Sequence, residues 1–324
     1  MTRPRTEKEV LNKIVRTFPP SGMSALGLPL DDDTALIAST RGSDMILTCD
    51  WFLEGSHFTR DRYPAGAVGW KALTRAASDI AAMGGIPRYF LLSLALPESH
   101  TGQWLNEFLR GLRRAAKVLD CKLAGGDTTR HKEILINVTV VGEVAKAKAI
   151  RRSGAKAGDQ LFVTGKLGES ELGLHLLQKA RGFSGERNSA TQKHLYPEAR
   201  LALGQWLSRN RLVTAMMDLS DGLSSDLPKL CSASGVGARI VAEQLPITVL
   251  ADREQALSLA LHGGDDYELL FAVRPAVARR LPKRHLGLSL TRIGEITTEK
   301  KIVVETHGRA RSLKVGGWDP FRRR

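Results

Sequence analysis

Acidic and hydroxyl side chains follow a short, largely apolar segment in the second half of the chain. Residues 213–217 predict a buried strand, and Asp218, Ser220 and Asp221 come directly after it. Gly222 then opens a segment whose apolar residues have helical spacing. A strand that runs into a helix N-terminus is a common phosphate site, and carboxylates placed there need a divalent cation between themselves and a phosphate. The sequence therefore predicts a Mg²⁺–phosphate site; the alternative is a helix cap made by Ser220 or Asp221.

Acidic residues beside glycine, serine or threonine recur in the first half of the chain. Each stands where an apolar strand or helix is predicted to end: Asp33, Asp50, Asp79 and Asp127. A single acid of this kind is typical of a turn or a cap. Independent caps have no reason to converge, so the whole set predicts one acidic pocket that binds cations.

Glycine and basic residues supply further candidates for phosphate contact. The segment Gly125-Gly126-Asp127-Thr128-Thr129 combines backbone that can approach a phosphate with an acid and two hydroxyls. The chain contains neither GxxxxGK[ST] nor GxGxxG after a strand, which disfavours the common nucleotide folds. Arg151 and Arg152 could clamp a phosphate or could be solvated linker charges. His57, in a predicted loop, could hydrogen-bond a substrate or be incidental.

The composition is that of a globular protein. A length of 324 residues is enough for two domains. Cys49, Cys121 and Cys231 lie far apart with no CxxC pair, which argues against a disulfide framework or a structural zinc site and predicts a reducing, cytoplasmic compartment. The longest apolar run, residues 89–97, is too short to cross a bilayer, so no membrane association is predicted.

The net charge of +14 raises the alternative of nucleic-acid binding. Much of the excess is scattered or terminal, however, and the sequence has no stacking-platform pattern and no zinc-finger spacing. A basic surface that recruits anionic small molecules is therefore favoured. A nucleic-acid-binding protein stays the alternative from a different functional class.

Hydrophobic periodicity predicts the elements that position these residues. The predicted helices cover residues 7–18, 66–83, 103–119, 168–180, 197–208 and 253–261, and the predicted strands cover 45–48, 89–96, 122–124, 134–144, 161–164 and 238–242. The polar stretch 181–192 is predicted as a mobile loop. The alternation indicates two α/β domains, the first with much antiparallel sheet, placed at residues 1–148 and 149–324 because the composition turns basic and Gly-containing between them.

With these residues in place, the sequence resembles the thiamine-monophosphate kinases, a family in the superfamily typified by aminoimidazole ribonucleotide synthetase. The resemblance covers nearly the whole chain. Its segments are Asp32-Asp33-Thr34-Ala35-Leu36, Thr48-Cys49-Asp50 with His57-Phe58, Lys71-Ala72-Leu73 with Ser78-Asp79-Ile80-Ala81-Ala82-Met83-Gly84, Gly125-Gly126-Asp127-Thr128-Thr129-Arg130, Arg152-Ser153-Gly154-Ala155-Lys156, Asp218-Leu219-Ser220-Asp221-Gly222-Leu223, and Gly263-Gly264-Asp265-Asp266-Tyr267-Glu268-Leu269. The sequence departs from the family pattern at Asp31 (usually Gly), Cys49 (usually Thr) and Asp265 (usually Glu).

The resemblance implies ATP-dependent phosphorylation of thiamine monophosphate to thiamine diphosphate, with Mg²⁺. It implies an α/β (α+β) fold in which the N-terminal mixed sheets of a homodimer join into a barrel, and a C-terminal α/β domain with helices packed on a mixed sheet. The implied metal ligands are Asp33, Thr48, Asp50, Asp79, Asp127, Asp218 and Asp221. The implied nucleotide contacts are Gly126, Asp127, Arg152, Ser220 and Thr48, the implied thiamine-side contacts are His57, Asp265 and Trp318, and the implied catalytic residues are Asp218, Asp221 and Arg152.

Two alternatives stay open at this point. Another ATP-using enzyme of the same superfamily, such as selenophosphate synthetase or the hydrogenase-maturation dehydratase, would share most of these segments. Selenophosphate synthetase carries a reactive Cys or selenocysteine near its N-terminus, and here no cysteine precedes Cys49. Trp318 could stack on the cationic thiazolium ring of the substrate, or it could be a hydrophobic residue that covers the last turn.

Overall fold

We describe the fold from a computed structural model, over residues 7–17, 40–179 and 188–321. The chain divides into two compact units. The first comprises the described residues up to 80 together with 86–146, and the second comprises 81–85, 147–179 and 188–321. Each unit is a β-sheet with packed helices, so the predicted mixed α/β class is confirmed. None of the described helices is both long and apolar enough to cross a membrane.

The described residues of the first half of the chain form a four-stranded sheet and three α-helices. The elements are α1 (Glu7–Thr17), β1 (Ser43–Leu53), α2 (Ala65–Ala82), β2 (Ile86–Leu96), α3 (Gln103–Leu119), β3 (Lys122–Arg130) and β4 (Leu135–Ala145). The strand order is β1–β4–β2–β3, in which only the β2–β3 pair is parallel. Alternate residues of β2 are buried from Phe90 to Leu96, which is the pattern of a strand with one face on the core.

Glycine permits the close approach of α2 and α3. A Cβ atom at Gly111 would lie 1.9 Å from the carbonyl oxygen of Gly66, and one at Gly69 would lie 2.1 Å from the carbonyl oxygen of Phe108. Both distances are far shorter than any van der Waals contact, so these two positions of the helix interface accept no side chain.

Two strands are longer than the sequence predicts. β1 continues to Leu53, so Asp50 lies inside the strand, and β3 continues through the predicted Gly-rich loop to Arg130, so Asp127 also lies inside a strand. Asp79 lies in the last turn of α2, near the end of the helix as predicted. The predicted position at the end of a strand is therefore wrong for Asp50 and Asp127, and the predicted position near the end of a helix is confirmed for Asp79. Among the described strands, β1 and β3 lie at the edges of this sheet, where polar residues are tolerated.

The second half of the chain forms the larger sheet. Its elements are β5 (Gln160–Thr164), α4 (Glu169–Lys179), α5 (Ser189–Leu195), α6 (Leu201–Arg209), β6 (Ala215–Asp218), α7 (Leu223–Ser234), β7 (Gly237–Val241), α8 (Arg253–His262), β8 (Leu269–Val273), α9 (Pro275–Ala278), β9 (Arg284–His285), β10 (Leu288–Thr297), β11 (Ile302–Thr306) and β12 (Arg309–Ser312). The strand order is β12–β11–β7–β10–β5–β8–β6, with β9 paired to β10. β8 lies between β5 and β6, and all five of its residues are buried.

Part of the predicted mobile loop is helical. α5 occupies Ser189–Leu195, and the side chain of Asn188 caps it by accepting a hydrogen bond from the backbone N–H of Ala190 at 2.9 Å. The prediction is therefore wrong for residues 189–192, because Asn188 supplies a cap that starts a helix in a polar sequence. Residues 181–187 of that stretch lie outside the described residues.

Candidate functional site

The predicted phosphate-site acid Asp218 is the last residue of β6. All four residues of this strand are buried, and the Asp218 residue is 3% exposed. After the strand, the backbone N–H of Leu219 donates to the carbonyl oxygen of Glu268 at 2.8 Å, which ties the turn to the segment before β8. A carboxylate with so little access to water is costly unless it is bonded or pairs with a cation, which is the setting of a metal ligand.

Asp226 holds the turn between β6 and α7. Its buried carboxylate accepts hydrogen bonds from the backbone N–H groups of Ser220 at 3.1 Å and Asp221 at 2.9 Å. The N-cap of α7 is Gly222, which offers no side-chain cap, so the alternative in which Ser220 or Asp221 caps the helix is wrong. Burial raises the pKa of Asp226, and the ammonium group of Lys229 at 2.8 Å opposes that rise. The sequence signal for Asp226 was an acid in the first turn of α7.

Asp221 is bonded to the same lysine. The Nζ atom of Lys229 lies 2.6 Å from Oδ2 of Asp221, and both side chains are partly exposed. The predicted metal ligand Asp221 is therefore neutralised by the chain's own cation in this structure. A Mg²⁺ ion bound by Asp221 would share that carboxylate with Lys229 or displace its ammonium group.

The loop that contains Asp265 packs against this turn. The backbone N–H of Asp265 donates to the carbonyl oxygen of Ser220, and that of Tyr267 donates to the carbonyl oxygen of Leu219, both at 2.8 Å. Asp265 and Tyr267 have φ angles of 63° and 51°, in the left-handed region that non-glycine residues rarely adopt. The hydroxyl of Tyr267 donates to Oδ1 of Asp265 at 2.7 Å and so orients its carboxylate. Strained backbone of this kind is typical of functional loops.

The C-terminal segment lies against the same turn. The backbone N–H of Trp318 donates to the carbonyl oxygen of Asp221 at 2.9 Å, and a Cβ atom at Gly317 would lie 2.1 Å from that oxygen. The backbone N–H of Gly316 donates to the hydroxyl of Ser224 at 3.2 Å, within α7. Three predicted site segments, around Asp218, Asp265 and Trp318, therefore meet inside the second unit.

Ser224 is in turn paired with a histidine that the sequence did not single out. Its hydroxyl lies 2.9 Å from Nδ1 of His262, the last residue of α8. Burial lowers the pKa of His262, so the neutral ring is favoured. His262 and Ser224 thus fix the point at which the C-terminal segment crosses the turn.

Asp266 and Glu268, which follow Asp265 in the sequence, belong to a buried network of ion pairs and hydrogen bonds. The carboxylate of Glu268 accepts from Nε of Arg200 at 2.9 Å, from the hydroxyl of Thr164 at 2.5 Å and from Nζ of Lys193 at 3.2 Å. Burial alone would raise the pKa of Glu268, but Arg200 and Lys193 outweigh it and hold the pKa below its usual value. Asp266 has a weaker partner, Lys193 at 3.9 Å, and burial raises its pKa to about 6. The sequence did not predict this network, because its members are distant along the chain.

The first unit brings two other predicted ligands together. The hydroxyl of Thr48 in β1 donates to Oδ2 of Asp79 in α2 at 2.5 Å. Asp50, two residues along the same strand, accepts from Nε of Arg75 at 3.3 Å. The guanidinium group of Arg75 also lies 5.3 Å from the ring centroid of Phe52. Arg75 was not predicted, although it stands one helical turn before Asp79 and therefore on the same face of α2.

Asp127 lies on the opposite edge strand from Asp50. Across the sheet, Asp127 lies beside Ser93 of β2, Ser93 beside Asn137 of β4, and Asn137 beside Trp51 of β1. Trp51 follows Asp50 in the sequence. Since successive residues of a strand point to opposite faces, Asp127 and Asp50 belong to opposite faces of this sheet. Within the first unit, the structure does not bring these two acids together.

The packing of β3 against β2 explains why residue 126 is a glycine. A Cβ atom there would lie 1.9 Å from the carbonyl oxygen of Leu92 in the neighbouring strand β2. The glycine is therefore required by the contact between β3 and β2. Its predicted contact with a nucleotide stays a prediction.

His57 uses one ring nitrogen locally. The backbone N–H of Leu53 donates to Nδ1 of His57 at 3.0 Å, and the backbone N–H of His57 donates to the carbonyl oxygen of Leu53 at 2.8 Å. Since Nδ1 accepts, the neutral ring carries its proton on Nε2. A contact of His57 with a substrate would therefore use the proton on Nε2.

Arg152 stands at the far end of α7 from Asp221. The hydroxyl of Ser234, the last residue of α7, donates to the carbonyl oxygen of Arg152 at 3.0 Å. A helix of this length spans about 18 Å, and Asp221 lies just before its first turn. A catalytic role for Arg152 beside Asp221 would therefore require its exposed side chain to cover much of that distance.

The donor chemistry of the implied metal ligands fits Mg²⁺. All seven offer only carboxylate or hydroxyl oxygens, the hard ligands that Mg²⁺ prefers. Asp33 lies outside the described residues, and among those that are described no three His, Cys, Asp or Glu side chains are grouped closely enough to hold a metal ion. The complete ligand set therefore stays a prediction.

Comparison with known proteins gives the family. The profile described as AIR synthase related protein, N-terminal domain, matches residues 31–144, and the corresponding C-terminal domain profile matches residues 156–307. The thiamine-monophosphate kinase of Synechococcus elongatus is 38% identical over 278 residues, which are 84% of each chain. The chain belongs to the thiamine-monophosphate kinase family.

Solved structures of thiamine-monophosphate kinases have the same fold. The enzyme of Stenotrophomonas maltophilia K279a matches with a TM-score of 0.82 at 33% identity, over 94% of this chain and 98% of that one. AaThiL, solved in complex with AMPPCP and TMP, matches with a TM-score of 0.75 at 31% identity, over 98% of both chains. The resemblance to thiamine-monophosphate kinases that the sequence predicts is therefore confirmed.

Proposed function

We propose that this chain is a thiamine-monophosphate kinase that transfers the γ-phosphoryl group of ATP to the phosphate of thiamine monophosphate. The products are thiamine diphosphate and ADP, and the enzyme serves thiamine diphosphate biosynthesis. The observation that carries the proposal is the match, over nearly the full length of both chains, to a relative solved with AMPPCP and TMP. The meeting of three predicted site segments in the second unit supports it.

The acceptor requires little activation from the protein. The second pKa of a phosphomonoester is about 6, so the phosphate of thiamine monophosphate is largely dianionic at neutral pH and is already a nucleophile. No general base is needed, and the reaction proceeds as a direct in-line displacement without a phosphorylated enzyme residue. The task of the chain is to hold two anionic groups close together in line.

We assign the carboxylates to that task through Mg²⁺, which neutralises phosphate charge when bound. The residues that would hold it are Asp33, Thr48, Asp50, Asp79, Asp127, Asp218 and Asp221. The bond from Thr48 to Asp79 fixes the rotamer of that carboxylate, and Asp226 fixes the turn that carries Asp221. Gly126, Asp127, Ser220, Thr48 and Arg152 are proposed for the nucleotide.

The thiamine side is assigned to His57, Asp265 and Trp318. The carboxylate of Asp265, oriented by Tyr267, offers a negative charge to the cationic thiazolium ring. The indole of Trp318 stacks on the same ring, an interaction worth about 0.5–2 kcal/mol. Both residues are held by backbone bonds to the turn that begins at Asp218, so they share one support.

We further propose that residues 1–148 form the ATP- and metal-binding domain and mediate dimerisation, and that residues 149–324 form the C-terminal α/β domain. The outer row of β1 exposes Met45, Leu47 and Trp51, which are 49%, 64% and 54% exposed. Apolar side chains side by side on one sheet face favour a partner surface. The proposed partner is a second copy of this sheet, joined to the first in a barrel.

The state of the three cysteines bears on the cellular compartment. Cys49, Cys121 and Cys231 are all free, and Cys121 and Cys231 are buried. Burial raises the pKa of Cys231 to about 12, so this thiol is inert. A cytoplasmic location, where thiols stay reduced, is proposed on this basis.

One assay tests the proposed function. The purified chain is incubated with ATP, Mg²⁺ and thiamine monophosphate, and the products are separated by chromatography. Thiamine diphosphate and ADP in equal amounts are expected, with no product when Mg²⁺ is chelated. ATP turnover without thiamine diphosphate would assign the chain to another reaction of the superfamily. Steeply salt-dependent binding of RNA with no turnover would favour the nucleic-acid alternative.

A further inference from the structure

A basic cavity lies in the second unit beside the start of β6. Its volume is about 250 Å³, and it is lined by residues around 147–153 and by residues 207–214, at the end of α6. Its charged lining residues are Lys148, Arg151 and Arg211, and none of the described lining residues is acidic. Three basic residues therefore line one small space, and Arg151 and Arg211 among them are exposed.

In the part of the chain that the structure describes, these three side chains are not paired with carboxylates. Among the described residues, no carboxylate forms an ion pair or a hydrogen bond with Lys148, Arg151 or Arg211. Arg200 in the same unit behaves differently, since it is paired with both Glu198 and Glu268. Like charges around a cavity repel one another, and an anion bound between them would be attracted to each of them and offset that repulsion.

The backbone places Arg211 at the cavity in an unusual conformation. Its φ angle is 50°, and the backbone N–H of Leu212 donates to the carbonyl oxygen of Leu207 at 3.1 Å. This is the turn that ends a helix with a left-handed residue, a position that is usually glycine. The chain instead keeps a long cationic side chain there, and residues held in such conformations cluster at functional sites.

The donors available to a ligand are mainly these cations. The hydroxyl of Ser208 donates to the carbonyl oxygen of Lys148 at 2.9 Å, and that of Thr214 donates to Oδ2 of Asp159 at 2.6 Å. Both hydroxyl protons are thus already used. The remaining side-chain donors are Ser153 and the three cations, and guanidinium groups bind phosphate oxygens in pairs.

The cavity differs from the proposed kinase site. Thr214 lies directly before β6 and Asp218 ends it, so the two are separated by about 13 Å along the strand. Arg152, which is proposed for the nucleotide, does not line the cavity. No acidic ligand for Mg²⁺ is present in its described lining, so an anion here would be bound without a metal ion.

We propose that this cavity is a second, metal-independent binding site for a small anion with one or two phosphate groups. It is smaller than the roughly 300–1,000 Å³ of pockets that enclose drug-sized ligands, which suits phosphate groups rather than a whole nucleotide. Free inorganic diphosphate and the diphosphate end of a larger metabolite share this chemistry.

Calorimetric titration of the full-length protein with inorganic diphosphate in EDTA tests the site, because chelation removes the Mg²⁺ that the kinase site requires. Saturable binding is expected. Arg211→Gln and Lys148→Gln should each weaken it about tenfold, the value of one charge-assisted hydrogen bond. Lys156→Gln, which removes an equal charge outside the cavity, should leave the affinity unchanged. Kinase turnover at saturating substrate should stay at the wild-type value in all three variants.

Several results would overturn the proposal: no saturable binding in EDTA, or an equal loss of affinity in Lys156→Gln. A third is an Arg211→Gln variant that binds diphosphate as tightly as the wild type but has a lower melting temperature. This result would mean that the cations only stabilise the C-terminal, negative end of the α6 helix dipole. Comparison of diphosphate, ADP and thiamine diphosphate in EDTA identifies the source. Equal affinities indicate free diphosphate, and tighter binding of an ester indicates a metabolite. The kinase assay depends on Mg²⁺, so failure of one proposal leaves the other standing.

Discussion

At the scale of single residues, Asp218 is the carboxylate with the strongest case for metal binding. It ends a fully buried strand and is itself buried. We expect Asp218→Asn to lower kcat/KM for thiamine monophosphate by about 100-fold or more, because the amide keeps the shape but loses the charge that Mg²⁺ needs. Steady-state kinetics over a range of Mg²⁺ concentrations measures this. The matched control is Asp319→Asn, an exposed acid in the C-terminal segment, and turnover of Asp218→Asn near the wild-type rate would remove Asp218 from the site.

Asp266 makes the stability of the protein depend on pH. Burial raises its pKa from 3.8 to about 6. Between these values the folded carboxyl holds a proton that the unfolded chain releases, so its contribution to the free energy of unfolding falls as the pH rises and is fully lost above about 6. Lys193 and the carboxylate of Glu268 are the charged groups that face it.

Asp266→Asn isolates this effect. The variant lacks the titrating carboxyl, so the free energy of unfolding of the wild type, relative to the variant, should fall by about 2 kcal/mol between about pH 4 and pH 7. Urea denaturation of both proteins across this range measures it, and any pH-independent cost of the amide cancels in the comparison. Parallel pH profiles would mean that Lys193 keeps Asp266 ionised throughout.

At the scale of elements, the contact between α2 and α3 depends on glycines that leave room for the facing backbone, and Gly111 is the one on α3. A Cβ atom at Gly111 would meet the backbone of Gly66 at 1.9 Å, whereas one at Gly66 would meet only the carbonyl oxygen of Glu107 at 3.5 Å. We expect Gly111→Ala to destabilise the protein by about 1–3 kcal/mol or more, because the helices must separate. Gly66→Ala is the matched control and should be neutral or slightly stabilising. Thermal denaturation compares the two, and equal melting temperatures would contradict the packing.

The C-terminal segment gives a second prediction at this scale. Ser224 accepts from the backbone N–H of Gly316 and pairs with His262, so its hydroxyl anchors the segment that carries Trp318. Loss of one such hydrogen bond is worth about 1 kcal/mol. We therefore expect Ser224→Ala to raise KM for thiamine monophosphate several-fold while KM for ATP stays unchanged.

The control for this experiment lies on the same helix. Ser232→Ala removes an exposed hydroxyl near the other end of α7 and should change neither constant. An equal rise in both KM values in Ser224→Ala would indicate general damage to the turn at Asp218 rather than loss of the anchor.

Element prediction from the sequence succeeded where one physical pattern was sufficient. α3 occupies the predicted residues 103–119 because its apolar residues follow the helical repeat throughout. β1 was predicted to end near Cys49, because Asp50 interrupts the apolar run. Its inner residues still alternate as far as Phe52, which is the pattern of a half-buried edge strand.

The residues that orient the predicted site residues were harder to predict from the sequence. Asp226 acts by bonding two backbone groups of a turn whose shape is set by the fold. Glu268 and Arg200 meet only because β8 and the segment before α6 are adjacent in space. Motifs identified the residues with a chemical role. The residues that orient them depend on distances that a sequence does not contain.

At the scale of the whole molecule, the positive charge and the exposed apolar side chains of β1 are features that favour partners. The net charge of +14 favours attraction of anionic substrates over long range. The face of the first sheet that carries Leu47 and Trp51 is instead apolar and exposed along β1. Asp50 and Asp127 belong to opposite faces and opposite edges of this sheet, so within one copy they are separated by the width of the sheet. A site that uses both acids therefore calls for a contribution from outside this sheet, which agrees with the proposed homodimer.

The oligomeric state is the last prediction. Leu47 is exposed on the outer row of β1, between Met45 and Trp51. If two copies of this sheet pack face to face, Leu47→Lys places a charge in the apolar interface, and burial of an unpaired charge costs several kcal/mol. We therefore expect light scattering to give a dimer for the wild type and a monomer for Leu47→Lys. Val118→Lys adds the same charge at an exposed residue of α3 and should stay dimeric. A monomeric wild type at assay concentrations, or a dimer that survives Leu47→Lys unchanged, would rule out this face as the interface.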